Sequence, residues 1–260
     1  MRTHCKPMII VWWLPVVLAC ALLAWAGCAR NQTLAVDEQL VDAVKRGDLP
    51  AIEALVGKGA DVGIRDEYGG TLLMYAAADG KLDVVELLIK LGANVNAKRK
   101  DQITALLYAI DAGRMDLAKL LIDKGADVNA RDHAGKTPVM AASVRGNAKI
   151  LRMLLEKGAD ISVATENGET ALMFAANGGS LEETRLLIEH GADVNARRKD
   201  GATALVGAIG GGGHLDVIKL LVENRADVNA KVRGLVTPLR LAQMNSLTEV
   251  VEYLKAQGAE

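Results

Sequence analysis

Histidines, cysteines and a run of glycines are the residues of this chain that could support catalysis, metal binding or phosphate binding. His133, His190 and His214 are widely separated in the sequence, and no cysteine follows Cys28. The spacings HExxH and CxxC, which are typical of metal sites, do not occur. The glycines at 210–213 are not followed by the Lys-Ser/Thr pair of a P-loop. The sequence therefore predicts no catalytic residue, no metal site and no cofactor.

The N-terminal residues have the pattern of an export signal. Arg2 and Lys6 precede an uncharged stretch of 20 residues, 8–27, that ends in small residues. A positive start, an apolar middle and a small-residue end are typical of a secretory signal peptide. The stretch could also span a bilayer by its length, but Pro15 would remove a backbone hydrogen bond from a spanning helix. We therefore predict a signal peptide at residues 1–27, with an uncleaved membrane anchor as the alternative.

The end of this stretch, Ala26-Gly27-Cys28, resembles the lipobox of bacterial lipoproteins. In that motif two small residues precede a cysteine that receives diacylglycerol and becomes the new N-terminus. Trp25 differs from the aliphatic residue usual at its position. The resemblance implies lipid attachment at Cys28 and a periplasm-facing lipoprotein of the bacterial envelope, tethered by residues 28–36. A soluble periplasmic or secreted protein is the alternative.

A repeat of 33 residues organises the rest of the chain. The glycine of a Gly-Ala-Asp or Gly-Ala-Asn tripeptide recurs every 33 residues, at 59, 92, 125, 158 and 191. Threonines recur with the same period at 71, 104, 137, 170 and 203, and the next lies at 237, after a step of 34. Self-similarity at a fixed period indicates a repeat architecture. The longer step indicates one inserted residue in the sixth unit, where the glycine run lies.

Each unit has the signals of two short helices. In the third unit, Thr104 is placed to cap a first helix that ends near Gly113. A second helix is predicted at 115–123, because its leucines have helical spacing. Gly125 is then placed to supply the left-handed residue that ends it. In the sixth unit Arg225 replaces this glycine, so we expect backbone strain there and lower stability after the glycine run.

These units resemble the ankyrin repeat over residues 37–260, with about seven copies. The family motif TPLH corresponds to TLLM, TALL, TPVM, TALM, TALV and TPLR at the six threonines, and Val-Asn-Ala begins at Val95, Val128, Val194 and Val228. The resemblance implies an all-α repeat solenoid of helix-turn-helix units with projecting turns. It also implies a domain that binds other proteins through those turns and through the face of the first helices.

Charge separates the projecting turns from the rest of the chain. The turns at 65–70, 98–103, 131–136, 164–169, 197–202 and 231–236 contain eleven basic and seven acidic residues, whereas the chain after the leader has a net charge of −3. This net charge does not favour nucleic acid as a partner. The turn charges indicate either an acidic protein partner or a surface that keeps the array soluble.

We predict partner-binding residues on both surfaces that the resemblance implicates. On the turns they are Lys98, Arg99, Lys100, Arg131, His133, Lys136, Arg197, Arg198, Lys199 and Arg233, and on the first-helix face they are Tyr108, Asp111, Val144, Arg145 and Asn177. The leading hypothesis is a monomeric, non-enzymatic adaptor of the bacterial envelope. The alternatives are an inhibitor or immunity protein for an envelope-acting toxin or hydrolase, and an enzyme with an unrecognised site.

Overall fold

The computed structural model describes residues 35–144 and 146–260, so the leader, Cys28 and Arg145 lie outside the described residues. Fourteen helices and no extended strand occur in these two ranges, which also contain three isolated β-bridges. The helices follow one another in pairs along the chain. The predicted all-α class is therefore confirmed.

The helices of each pair form one repeat. The first helices are α1 (35–46), α3 (Leu72–Asp79), α5 (Ala105–Asp111), α7 (Pro138–Val144), α9 (Ala171–Asn177), α11 (Ala204–Gly210) and α13 (Pro238–Met244). The second helices are α2 (Leu49–Gly57), α4 (Leu82–Lys90), α6 (Met115–Asp123), α8 (Ala148–Glu156), α10 (Leu181–Glu189), α12 (Leu215–Glu223) and α14 (Thr248–Ala256). We number the repeats 1 to 7 from these pairs.

The described residues divide into two units at the bond between Ile64 and Arg65. In the first unit, α1 and α2 form repeat 1. Its loops are held by carboxylates: Asp48 accepts the Ala51 N–H at 3.1 Å and so caps α2, while Asp37 accepts the Asp61 N–H at 2.9 Å. Helix α1 includes residues 35 and 36, which the sequence analysis placed in the tether.

The second unit, residues 65–260, contains repeats 2 to 7 stacked in chain order. Successive first helices pack on one another, as do successive second helices. Each second helix of this unit has a fully buried leucine at the same position of the repeat, at Leu88, Leu121, Leu154, Leu187, Leu221 and Leu254. Burying a leucine side chain contributes about 1.5–3 kcal/mol, so this column of leucines is a main source of stability. Met74, Met140 and Met173 of the first helices are also buried.

Five of the six periodic threonines cap the first helices, whereas the buried Thr203 hydroxyl makes no hydrogen bond with any described residue. The Thr104 hydroxyl accepts the Leu107 N–H at 3.4 Å, and Thr71, Thr137, Thr170 and Thr237 make the equivalent bond. The glycines after the second helices have left-handed φ values, for example 87° at Gly125. Arg225 adopts φ 67° in the same place, so the predicted strain at a non-glycine residue is confirmed.

Backbone hydrogen bonds join each projecting turn of repeats 2 to 7 to the next. The five bonds are Lys100 N–H to Tyr68 (2.9 Å), His133 N–H to Asp101 (2.9 Å), Glu166 N–H to Ala134 (3.3 Å), Lys199 N–H to Asn167 (3.0 Å) and Arg233 N–H to Asp200 (2.7 Å). The turns therefore lie side by side along one edge. This edge brings together side chains that are 33 residues or more apart in sequence.

Asparagine side chains join the loops that follow the second helices. Asn96 donates to the Gly125 carbonyl at 3.0 Å and accepts the Asp127 N–H at 2.8 Å. We call this pair of bonds an asparagine bridge, and Asn129, Asn195 and Asn229 form the same bridge to the next loop. Ser162 occupies the equivalent position after α8, and its hydroxyl and N–H both bind Asp160 in its own loop.

The glycine run of repeat 6 lies where α11 turns into α12, as predicted. Helix α12 starts one residue later after its threonine than α10 does, which places the inserted residue in this turn. A Cβ atom on Gly211 would lie 2.0 Å from the Asn177 carbonyl oxygen of repeat 5. Gly211 is therefore required for the close approach of α11 to the end of α9.

Candidate functional site

The predicted cations of the projecting turns fall into two groups. Those in the first group are exposed and form no ion pair with any described residue: Lys98, Lys100, Arg131, Lys199 and Arg233; the predicted residue His133 is exposed on the same edge. Those in the second group are paired within the chain: Arg99, Lys136, Arg197 and Arg198. The lysines and arginines of the first group are therefore more available to a partner than those of the second group.

Arg99 points from its turn toward the first helix of repeat 3. Its Nη1 donates to the Tyr108 hydroxyl at 2.6 Å, and its Nη2 lies 3.1 Å from the Asp101 carboxylate. The guanidinium carbon also lies 5.9 Å from the centre of the Tyr68 ring, which is within cation–π range. Arg99 therefore holds the turn against the helix, and its charge is largely used within the chain.

Arg198 has the same place in repeat 6 but different partners. It binds the carboxylates of Glu169 at 3.3 Å and Asp200 at 3.0 Å. Burial raises the pKa of Asp200, but the Ala202 N–H and the Arg198 guanidinium outweigh it and hold that pKa below its ordinary value. Asp200 is therefore ionised at neutral pH and balances part of the arginine charge.

Two other pairs involve predicted residues and remain near solvent. Lys136 lies 3.6 Å from Asp111, which joins a turn to a first helix, and Arg197 lies 3.0 Å from Asp227. Exposed ion pairs of this kind contribute about 0–1 kcal/mol each. They orient the side chains more than they stabilise the fold.

The residue four positions after each threonine lies on the first helix at equivalent places in successive repeats, and Tyr75 and Tyr108 reach the turns from it. In repeats 2 to 7 these residues are Tyr75, Tyr108, Ala141, Phe174, Gly207 and Leu241. Tyr75 donates from its hydroxyl to Asp66, and this bond lowers the pKa of Asp66 and raises that of Tyr75. Val144 and Asn177 are exposed near the ends of their helices, at α7 and α9.

A cleft of about 400 Å³ lies between the turns and the first helices of repeats 5 to 7. Arg198, Glu169 and Asp200 line its polar side. Its apolar side consists of Met173, Phe174, Ala202, Val206, Val232 and Leu241, with Asn177 and Gly207 among the remaining residues. The cleft therefore brings the predicted turn residue Arg198 together with the predicted helix residue Asn177.

A protein-family model described as ankyrin repeats (3 copies) matches the chain at residues 40–132 and 140–232. Together the two matches cover well over half of the chain. The chain belongs to the ankyrin repeat family. Ankyrin repeats are protein–protein interaction modules, and members of the family are generally non-enzymatic. No curated protein matches the chain.

The histidines of this ankyrin array have separate surroundings. His190 follows α10 and its Nδ1 lies 2.8 Å from the Leu186 carbonyl oxygen, whereas His214 packs over Gly179 of the preceding repeat. His133 is on a projecting turn. Within residues 35–144 and 146–260, no three histidine, cysteine or acidic side chains are grouped as a metal site would require, and no helix has the length and apolar character of a membrane span.

Two residues that shape the cleft of the ankyrin array, Glu169 and Gly207, were not predicted from the sequence. In the sequence Glu169 is only an acidic residue that interrupts the basic turns, yet it binds Arg198. Gly207 is one of several glycines in repeat 6, although it occupies the position of Tyr108 in repeat 3. Aligning the residues four positions after each threonine would have revealed a missing side chain in repeat 6.

Proposed function

We propose that this ankyrin array is a non-enzymatic adaptor of the bacterial envelope, anchored by a lipid on Cys28, that binds an acidic protein partner. The interaction class follows from the family. The anchor and the location rest on the Ala26-Gly27-Cys28 motif behind an uncharged stretch. Because α1 begins at residue 35, the tether shortens to residues 28–34 and would hold the array within about 25 Å of the membrane surface, since an extended chain spans at most about 3.6 Å per residue.

An acidic partner is supported by exposed lysines and arginines on the joined turns that form no ion pair with any described residue. Lys98 and Lys100 are exposed on one turn, Arg131 is exposed on the next, and none has an ion pair among the described residues. Tyr68 and Tyr75 are exposed by 56% and 47% beside them. Tyrosine and arginine are enriched at protein interfaces, which supports Tyr68, Tyr75 and Arg131 as contact residues.

The sign of the charge changes along the edge, which favours a folded or sequence-specific partner over a simple polyanion. The turn of repeat 5 presents Glu166 between the basic turns of repeats 4 and 6, and Glu166 is exposed. A polyanion would be repelled at this point. A protein surface can place a neutral or basic residue there.

The test is the association rate of a partner captured from the envelope fraction. The variant combines Lys98→Glu with Lys100→Glu. It keeps Arg99, because Arg99 binds the Tyr108 hydroxyl. We expect slower association at low salt and a smaller difference at high salt, since exposed charges act mainly on encounter. Lys119→Glu with Lys149→Glu on the second helices is the matched control for charge. Equal rates for both double variants would refute the proposed turn surface.

The anchor is tested separately on the same chain. Mass spectrometry of the membrane fraction should find a mature N-terminus at Cys28 that has an acyl modification. Cys28→Ser should move the protein out of the membrane fraction. An N-terminus at another residue, or unchanged partition of the variant, would refute lipid attachment.

A further inference from the structure

Repeats 3 and 6 contain the same turn motif, so one repeat can be used to interpret the other. Arg99 and Arg198 each bind the aspartate two residues later, at 3.1 and 3.0 Å. In repeat 3 the guanidinium also binds the Tyr108 hydroxyl and faces the Tyr68 ring. Repeat 3 thus shows how this motif accommodates a tyrosine.

The surroundings of Arg198 lack both of the aromatic rings that lie around Arg99. Gly207 replaces Tyr108, and Asn167 replaces Tyr68, in the same register 99 residues later. The space left beside Gly207 is part of the cleft of about 400 Å³. The cleft therefore corresponds to a position that a tyrosine side chain fills in repeat 3.

We propose that the cleft beside Arg198 binds a tyrosine side chain from an acidic segment of the protein partner. This inference rests on the proposed function, because it assumes a protein partner, and it specifies the residue type that the partner inserts. The tyrosine ring takes the place of the ring of Tyr108, and its hydroxyl reaches the polar side of the cleft.

The polar side of the cleft matches both hydrogen-bonding roles of a phenol. The Tyr75 hydroxyl donates to a carboxylate in repeat 2, and the Tyr108 hydroxyl accepts from a guanidinium in repeat 3. The cleft of repeat 6 offers both kinds of group, because Arg198 and Asp200 line it together. A tyrosine hydroxyl can therefore donate and accept there, whereas a phenylalanine ring would leave these groups without a new partner.

The charges inside the cleft and those at its rim favour different residues of the partner: a neutral side chain in the cleft and acidic residues on either side of it. Inside, Glu169 and Asp200 balance Arg198, so an entering carboxylate or ammonium would meet a group of its own sign. Outside, Lys231 and Arg233 are exposed on either side of Val232, which lines the cleft, and they form no ion pair with any described residue. A neutral tyrosine between acidic residues satisfies both conditions.

The first experiment measures binding of three capped pentapeptides to the full chain purified in detergent. Their sequences are Glu-Glu-Tyr-Glu-Glu and the same peptide with Phe or Ala at the centre. We expect the tyrosine peptide to bind about tenfold more tightly than the alanine peptide, which corresponds to one well-placed aromatic and polar contact. The phenylalanine peptide should fall between them.

The second experiment fills the cleft from within. A Cβ atom on Gly207 would lie 3.5 Å from the Met173 carbonyl oxygen and 3.7 Å from the Asn177 Cβ, so a side chain can start there without a clash. Gly207→Tyr should remove the preference for the tyrosine peptide, because its own ring occupies the cleft. Gly207→Ala is the matched control and should keep the preference. Gly207→Leu provides a second filling variant if Gly207→Tyr loses its helical circular dichroism signal.

The outcomes separate this inference from the proposed function. Equal affinity for the three peptides, or an unchanged preference in a folded filling variant, would overturn the tyrosine site. The proposed partner surface would stand in that case if reversal of Lys98 and Lys100 still slows association of the captured partner. A tyrosine preference that only the filling variants abolish would support the inference.

Discussion

The turn between α11 and α12 in repeat 6 and the loop at Ser162 are both departures from the repeat pattern, and they have different consequences. The first has four consecutive glycines, which are costly in a regular helix. In the second, one asparagine is replaced by a serine. Judged from residue types alone, the glycine run is the greater weakness.

The hydrogen bonds between repeats indicate instead that the loop at Ser162 is the greater weakness. The loop after α12 is joined to the preceding loop by the Asn195 bridge, at 2.9 and 2.8 Å. Between the loops at 158–162 and 191–195, both fully described, no asparagine bridge forms. Because a repeat array is stabilised mainly by nearest-neighbour contacts, a missing bridge weakens coupling more directly than a flexible turn does.

The largest expected effect comes from a methyl group in the glycine run. Gly211→Ala should destabilise the array by about 3 kcal/mol, because its Cβ would lie 2.0 Å from the Asn177 carbonyl oxygen and the helices must separate. Urea unfolding followed by circular dichroism measures the change.

Gly207→Ala in the same helix is the matched control. Its Cβ meets only ordinary contacts, and replacing glycine by alanine within a helix favours folding by up to about 1 kcal/mol. If the two variants have the same stability, the close approach of α9 and α11 is not what fixes the glycine at 211.

The second prediction removes an existing bridge. Asn195→Ala should cost about 1–2 kcal/mol, since it deletes one bond to the Arg225 carbonyl and one to the Asp227 N–H, each exposed and worth about 1 kcal/mol. Amide exchange should accelerate at Asp227 in the variant. Unchanged exchange there would mean that the bridge does not couple the two loops.

The sequence was sufficient for features that act within one repeat. Thr104 caps its own helix, and Gly125 ends the next one, so periodic spacing alone located both. The orientation of turn arginines could not be predicted in this way. Arg197 pairs with Asp227 near solvent, while its neighbour Arg198 turns into the cleft, and only the packed neighbours distinguish the two.

The cleft itself depends on an absent side chain. Composition cannot show this, because Gly207 is one of 26 glycines in the chain and most of the others mark turns. The residue becomes informative only when it is aligned with Tyr108, whose ring fills the same place in repeat 3. Repeat proteins therefore allow one unit to serve as the reference for the next.

The third prediction adds the missing bridge. Ser162→Asn should stabilise the array by about 1 kcal/mol, because the new side chain can reach the Gly191 carbonyl and the Asp193 N–H as Asn129 reaches those of the next loop. Amide exchange at residues 191–195 should slow. Ser162→Ala is the control that lacks the side-chain bonds, and equal stability of the two variants would contradict the prediction.

The smallest expected effect concerns the strained residue after α12. Arg225→Gly should stabilise the array by about 0.5 kcal/mol. Removing the backbone strain of a non-glycine residue at φ 67° should stabilise the folded state by about 1 kcal/mol. Glycine also increases the conformational entropy of the unfolded chain, which offsets part of this gain. Its carbonyl bond to Asn195 does not depend on the side chain, so the bridge is retained.

Gly191→Ala is the reciprocal change in repeat 5, where the glycine has φ 89° and no atom lies within 4 Å of the place that a methyl group would occupy. Because nothing obstructs the methyl group, its cost should be that of the backbone alone, about 1 kcal/mol. A gain at Arg225 and a loss at Gly191 would show that strain in repeat 6 is local. If Arg225→Gly also slowed amide exchange throughout repeat 7, that strain would be weakening the contact between repeats 6 and 7, and Arg225 would have to be counted as a third weak point beside the glycine turn and the loop at Ser162.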